Sequence, residues 1–250
     1  MADTPITTGT APLPVDPPSL QDRAPALPPV TTGTSAHYIR GLASAVSRAS
    51  ATDPLTVAFQ TEKLPPGQSA ADLDLPALQR IVYNSATTRL DAKLAAGAFI
   101  VEAGGFAAVA CWEPGRVGLP HRTAKEDLVE RPLFAEFLRK VSDTMQEHLY
   151  PIVERVSNGR YWKLSLMARD PGVEYVPGAV RAVLVPFIER FTSNENEGGP
   201  MPVWLEAGSE QARAVYAHFG FREVSEMDIR GIKTWGMIYT GNIDIGNGDR

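Results

Sequence analysis

Apolar residues recur along this chain at two spacings, one helical and one extended, and the switches between them outline its elements. Residues 37–50 place Tyr38, Leu42, Ala45 and Val46 on one side of a helix. A short second segment starts at Asp53-Pro54-Leu55 and ends near Gln60, and residues 64–73, with Pro65, Pro66 and Gly67, read as a loop. Residues 75–95 repeat Leu78, Ile81, Val82, Leu90 and Leu94 at helical spacing, and Gly97 ends the run. Apolar runs at 98–102 and 106–112 flank Gly104-Gly105, a hairpin signal, and Glu113-Pro114-Gly115 closes the second strand. Residues 132–149 form an amphipathic helix. A strand over 161–168 stops at Asp170-Pro171-Gly172, and a helix over 179–191 follows, open to a kink at Pro186.

The clearest unit lies near the C-terminus. Val203-Trp204-Leu205-Glu206-Ala207 reads as a strand, Ser209 is placed to cap a helix, and Ala212, Val215, Tyr216 and Phe219 fall on one helical face. Gly220 suits the exit from that helix, and strands over 222–228 and 233–239 finish the chain. This order of elements predicts an α/β (α+β) domain with a mixed sheet and helices on both faces. Residues 1–35, rich in Pro, Thr, Ala and Ser, read as a disordered leader. The domain occupies 36–240, and 241–250 is a flexible tail.

Composition narrows the function. The chain has 250 residues, is 44% hydrophobic and 21% charged, and carries a net charge of -5. Mild acidity without a basic run argues against a nucleic-acid surface. No apolar run approaches the roughly 20 residues needed to span a bilayer. A single cysteine, Cys111, forms no internal disulfide and fits a reducing, cytoplasmic setting, where it reads as a small core residue. His37, His121, His148 and His218 share no ligand spacing, so no metal site is expected. The oligomeric state is left open.

Three segments give the chain a family likeness: Ala108-Val109-Ala110-Cys111-Trp112-Glu113-Pro114; Tyr161 through Pro171; and Leu205-Glu206-Ala207 with Ala212, Tyr216 and Gly220-Phe221. In this order they resemble the GCN5-related N-acetyltransferase (GNAT) superfamily over about residues 38–239. The resemblance implies a twisted mixed sheet whose two central parallel strands, here 163–168 and 202–206, splay to admit acetyl-CoA. It implies that the diphosphate sits on amides of the loop and helix start at Val176, Gly178, Ala179 and Val180, with Arg181 adding charge. It further implies that the backbone at Met167 or Ala168 meets the thioester carbonyl, and that Ser209 lies near the pantetheine. Tyr216 takes the place of the proton donor to the departing thiolate, and Glu206 is preferred as general base over Glu113 and Glu102.

The loop departs from the family pattern. Val176 and Val180 stand where small residues are usual, and Pro177 lacks an N–H, although at the first helical position that loss costs little. Two readings follow. One is an acyl-CoA-dependent N-acetyltransferase acting on a small-molecule amine. The other is a GNAT-fold protein that has lost coenzyme A and serves as a binding protein or an enzyme of other chemistry. A scaffold recruited through the proline-rich leader is a third. Trp112, Trp162, Trp204 and Trp235 read as core residues or as the lining of an acceptor pocket.

Overall fold

The computed structural model describes residues 26–118, 129–196 and 199–243. Its centre is a mixed sheet of order β1-β2-β3-β4-β5-β7-β6. The strands are β1 (Val30–Gly33), β2 (Phe99–Ala103), β3 (Ala108–Arg116), β4 (Arg160–Arg169), β5 (Val203–Ala207), β6 (Arg222–Ile229) and β7 (Ile232–Tyr239). Every neighbouring pair is antiparallel except β4 and β5. A parallel pair needs a crossover, supplied here by helix α6 (Ala179–Phe191).

Residue alternation along the strands assigns the helices to faces. Leu164, Val203, Leu205 and Ala207 face α6 and the helix α7 (Glu210–His218) in one apolar cluster with Trp112, Ile188 and Tyr216. On the other face, α1 (Ala36–Ser50) and α3 (Leu75–Ala95) cover Ile100, Val109 and Cys111. Further along that face lie α2 (Pro54–Thr61), α4 (Pro132–Thr144) and α5 (Tyr150–Ser157), which pack around Tyr161, Trp204 and Ile238. The tryptophans are therefore mainly core residues, with Trp112 and Trp204 fully buried and Trp235 nearly so.

Several local expectations are corrected. Val30–Gly33, assigned to the leader, is an edge strand paired with β2. Glu102 holds it there: the carboxylate accepts Thr31 Oγ1 at 2.5 Å and, through its other oxygen, the Phe106 amide at 2.9 Å. The same bond pins the β2–β3 turn, where Gly104, Gly105 and Phe106 all have positive φ, so β3 starts at Ala108 rather than Phe106. β3 also runs on through Glu113-Pro114-Gly115. Pairing with β2 ends at Trp112, so Pro114 lacks a donor only on the open side, where none is needed. The helix expected to end at Leu149 widens into a π turn over Met145–Leu149 and resumes as α5, with Pro151 in its first turn. Asn158, with φ 52, stops it. Residues 1–25, His121 and most of the expected tail lie outside the described residues. No described helix is long and apolar enough to cross a membrane.

Candidate active site

β4 and β5 pair only at Trp162↔Val203 and Lys163↔Trp204, with the Trp162 amide also donating to the Pro202 carbonyl at 3.0 Å. Beyond Lys163 they part. β4 stays on β3 along its whole length and β5 stays on β7, so the split is between the two parallel strands alone. A bulge marks the fork: Cys111 opposes Leu166 and Trp112 opposes Leu164, leaving Ser165 as the extra residue on β4. A bulge bends its own strand and increases the local twist, which turns β4 away from β5. The Ser165 hydroxyl leans on the Cys111 carbonyl at 3.4 Å.

At the open end of the slot stands the start of α6. Gly178 is its N-cap in the left-handed region, φ 78, a conformation that favours glycine. Pro177 precedes the cap instead of occupying the first helical position, so it does not replace a first-turn amide. Among the described residues, no backbone acceptor meets the amides of Gly178, Val180 or Arg181, whereas the Ala179 amide turns onto the Val176 carbonyl at 3.2 Å. These residues gather around a cavity of about 200 Å³, shared with Arg169 from the end of β4. Arg169 lies over the Tyr175 ring at 5.6 Å. Two guanidinium-bearing residues and free helix amides at one cavity form a setting for a diphosphate. Arg169 escaped the sequence reading; its place directly before the Asp170 stop was the available signal.

The remaining expected residues fall as follows. Met167 packs against the α6 side, while Ala168 turns its side chain to the α1–α3 side, so Ala168 could act only through its backbone. Ser209 caps α7 by accepting the Ala212 amide at 3.2 Å. Tyr216 is 8% exposed and packs edge-on to Phe221 at 5.8 Å. Burial first, and the Glu206 carboxylate second, push its phenol far above the usual value. Tyr216 and Glu206 thus stand within electrostatic reach of one another at the fork.

Glu206 is not free. Its Oε1 accepts Lys163 Nζ at 2.8 Å and Trp204 Nε1 at 2.6 Å, while no described hydrogen bond reaches Oε2. Lys163 is opposite Glu113 on β3, and Glu113 is ion-paired with Lys93 of α3. A row of alternating charge, Lys93, Glu113, Lys163, Glu206, therefore crosses the sheet at the fork, on the face away from α6. Each member is only partly buried. Of the other carboxylate candidates, Glu102 is consumed by the β1 anchor and Glu113 by Lys93. Cys111 is buried and its thiol is pushed up to about 11, by burial first, which is the behaviour of a core thiol. Among the described residues no cluster could hold a metal ion.

A mixed sheet split between the only parallel strands among the described residues, with bare helix amides at the open end, defines the class: an α/β protein built around a forked central sheet. No known family model and no curated protein sequence matches the chain. Solved structures do. They include a Drosophila melanogaster polyamine N-acetyltransferase that forms N-acetylagmatine, with TM-score 0.55 and 12% identity over 84% of this chain and 99% of that one. Arylalkylamine N-acetyltransferase 2 from Aedes aegypti matches with TM-score 0.54 and 13% identity, covering 84% and 97%. The C-terminal condensation domain of Ebony, in complex with β-alanyl-dopamine, matches with TM-score 0.53 and 8% identity, covering 85% and 99%. At such identities the likeness is one of fold: the chain has the GNAT fold.

Proposed function

We propose that this protein transfers an acetyl group from acetyl-CoA to a small-molecule amine. The observation that carries the reading is the two-residue pairing of β4 with β5, which leaves a slot ending at unsatisfied amides of α6. The amides of Gly178, Val180 and Arg181, with the side chains of Arg169 and Arg181, would hold the diphosphate. Acetyl-CoA would supply the activated acyl group. Glu206 Oε2 is the oxygen left to receive the acceptor's proton, while Lys163 and Trp204 fix the carboxylate. Tyr216 stays protonated throughout the neutral range, since burial and Glu206 both disfavour its anion, and so can donate a hydrogen bond toward the leaving sulfur. The fold neighbours include agmatine, polyamine and arylalkylamine N-acetyltransferases, which supports a small amine as acceptor. Calorimetry with acetyl-CoA on protein shown folded by circular dichroism tests the reading. Saturable heat is expected, and its absence at high protein concentration removes the proposal.

One observation favours the second reading, a GNAT-fold protein without coenzyme A. Leu27 and Pro28 lie against Gly178, each 3.4 Å from where a side chain there would begin. The segment before β1 thus crosses the start of α6. Restoring glycine at Val176 separates the two: a gain in acetyl-CoA affinity belongs to a cofactor loop, and no change belongs to a protein that does not use the cofactor.

A further inference from the structure

One buried carboxylate holds both segments that flank the approach to α6. Glu102, 8% exposed, accepts Thr31 Oγ1 through one oxygen and the Phe106 amide through the other. Thr31 Oγ1 in turn accepts the Tyr38 hydroxyl at 2.9 Å, and the Tyr38 ring meets the Phe106 ring edge-on at 6.0 Å. The contacts close on themselves through Tyr38, Thr31, Glu102 and Phe106.

Two arms leave this circle for the loop over 176–178. On the Phe106 side, a Val176 methyl lies 2.9 Å from where a side chain on Gly104 would begin. Ala107, the residue after Phe106, lines the same cavity as Val176 and Gly178. On the Thr31 side, β1 leads back to Pro28 and Leu27, which lie against Gly178.

The arms differ in firmness. The turn is also tied through its backbone, since the Ala107 carbonyl accepts the Asp170 amide at 2.9 Å. The other arm has less to hold it. β1 has four residues at the edge of the sheet and pairs only with β2. Leu27 is 39% exposed, so much of its side chain stays in water. A short edge strand led by a half-seated apolar residue opens at low cost. Its side-chain tie, Thr31 to Glu102, sits at the second residue of β1, close to the crossing of Gly178. The Leu27 and Pro28 side chains offer the amides of Gly178, Val180 and Arg181 no acceptor, whereas an anion would supply several.

We propose that residues 27–28 are an autoinhibitory strap: Glu102, through Thr31, holds them on the start of α6, and an anion reaches the α6 amides when they lift. That this anion is the diphosphate of acetyl-CoA rests on the acyl-transfer reading of the slot. Glu102 is then a positioning residue. It touches no ligand and acts through Thr31 on one flank of the loop and Phe106 on the other.

Full-length variants test the strap. Thr31→Val keeps a β-branched strand residue and removes the hydroxyl; Leu27→Ala with Pro28→Ala removes the atoms that meet Gly178. By calorimetry each is expected to bind acetyl-CoA about tenfold more tightly than wild type, the factor for a strap open roughly a tenth of the time. All three substitutions together should gain no more than the better of the two, because both release one strap. Thr31→Ser restores the hydroxyl and should bind like wild type.

A second arm separates the strap from the cofactor. In ligand-free protein, the Gly178 amide signal in two-dimensional NMR should move in Thr31→Val in the direction it moves in the Leu27→Ala, Pro28→Ala variant. Inorganic diphosphate serves as a second calorimetric probe. Tighter diphosphate binding in the variants, with no binding of acetyl-CoA by any form, would support the strap and defeat the acetyltransferase reading alone. A Gly178 signal indifferent to Thr31→Val, additive gains, affinities for both probes unchanged by the substitutions, or no binding of either probe by any form would overturn the proposal.

Discussion

At the scale of single residues, Lys63 is the side chain whose ionisation works against the fold. Its ammonium loses hydration and faces Arg131 and Arg89, with only the Ser85 hydroxyl as a described partner, so its pKa falls from 10.5 to about 8. Between those values the unfolded chain keeps a proton that the folded chain has released, so this group's contribution to stability rises with pH across that window. Lys63→Met should therefore raise Tm at pH 7, and the advantage should shrink as the pH approaches 10; paired thermal melts at the two pH values check the difference. Tyr216→Phe is expected to lower acetyl transfer by about a hundredfold while leaving acetyl-CoA affinity in place, a split read from kcat against calorimetric Kd. Tyr216 was legible because its neighbours Ala212, Val215 and Phe219 share a helical face and Gly220 fixes the end of that helix. The crowding of Lys63 by Arg131 and Arg89 was not. Lys63, Arg89 and Arg131 come from three separate elements, and no local run of charge announces them.

At the scale of elements, the end of β4 is fastened to α1. Asp170, 1% exposed, receives Arg48 Nε at 2.7 Å and the Gly172 amide at 2.8 Å, while its own amide donates to the Ala107 carbonyl at 2.9 Å. Burial resists ionisation of this carboxyl, but Arg48 and the Gly172 amide outweigh it and hold the pKa below its ordinary value. The stability gained is present above the unfolded value and is lost as pH falls through the lowered folded one. Arg48→Leu leaves a buried carboxylate without its partner and should cost about 2–4 kcal/mol. Limited proteolysis should then cut within residues 171–178, the approach to α6. The helices over 75–95 and 179–191 could be read to the residue from apolar spacing and glycine or proline boundaries. β1 could not, because the prolines before it mask four residues whose pairing depends on Glu102, far along the chain. The extension of β3 past Pro114 was equally hidden: it depends on which side of the strand has a neighbour, and that is decided by where β2 stops.

At the scale of the whole molecule, layer order and face assignment followed from element order, while the forked sheet followed from the family resemblance and no spacing rule. Two strands that pair for two residues look, in sequence, like two that pair for eight. The geometry supplies the missing term, a bulge at Ser165 that bends one strand while its neighbour keeps to β7. The contact of Leu27 and Pro28 with Gly178 spans the same scale, since it brings the start of the described chain across a helix that begins mid-sequence. Deleting residues 1–28 leaves β1 intact and should tighten acetyl-CoA binding in a calorimetric titration. Unchanged affinity would mean that this segment stays clear of the ligand's path.

Where β4 and β5 part, alternate peptide groups of 164–169 and those of β5 turned toward the gap have lost the neighbour that would otherwise shield them from deuterium. Mass spectrometry of peptides covering these two stretches should show rapid label uptake beside slowly labelled β3 and β7. Any molecule that truly threads the gap will silence that signal, whatever its chemistry, so the fork itself can serve as a sensor for screening ligands without an assay for turnover.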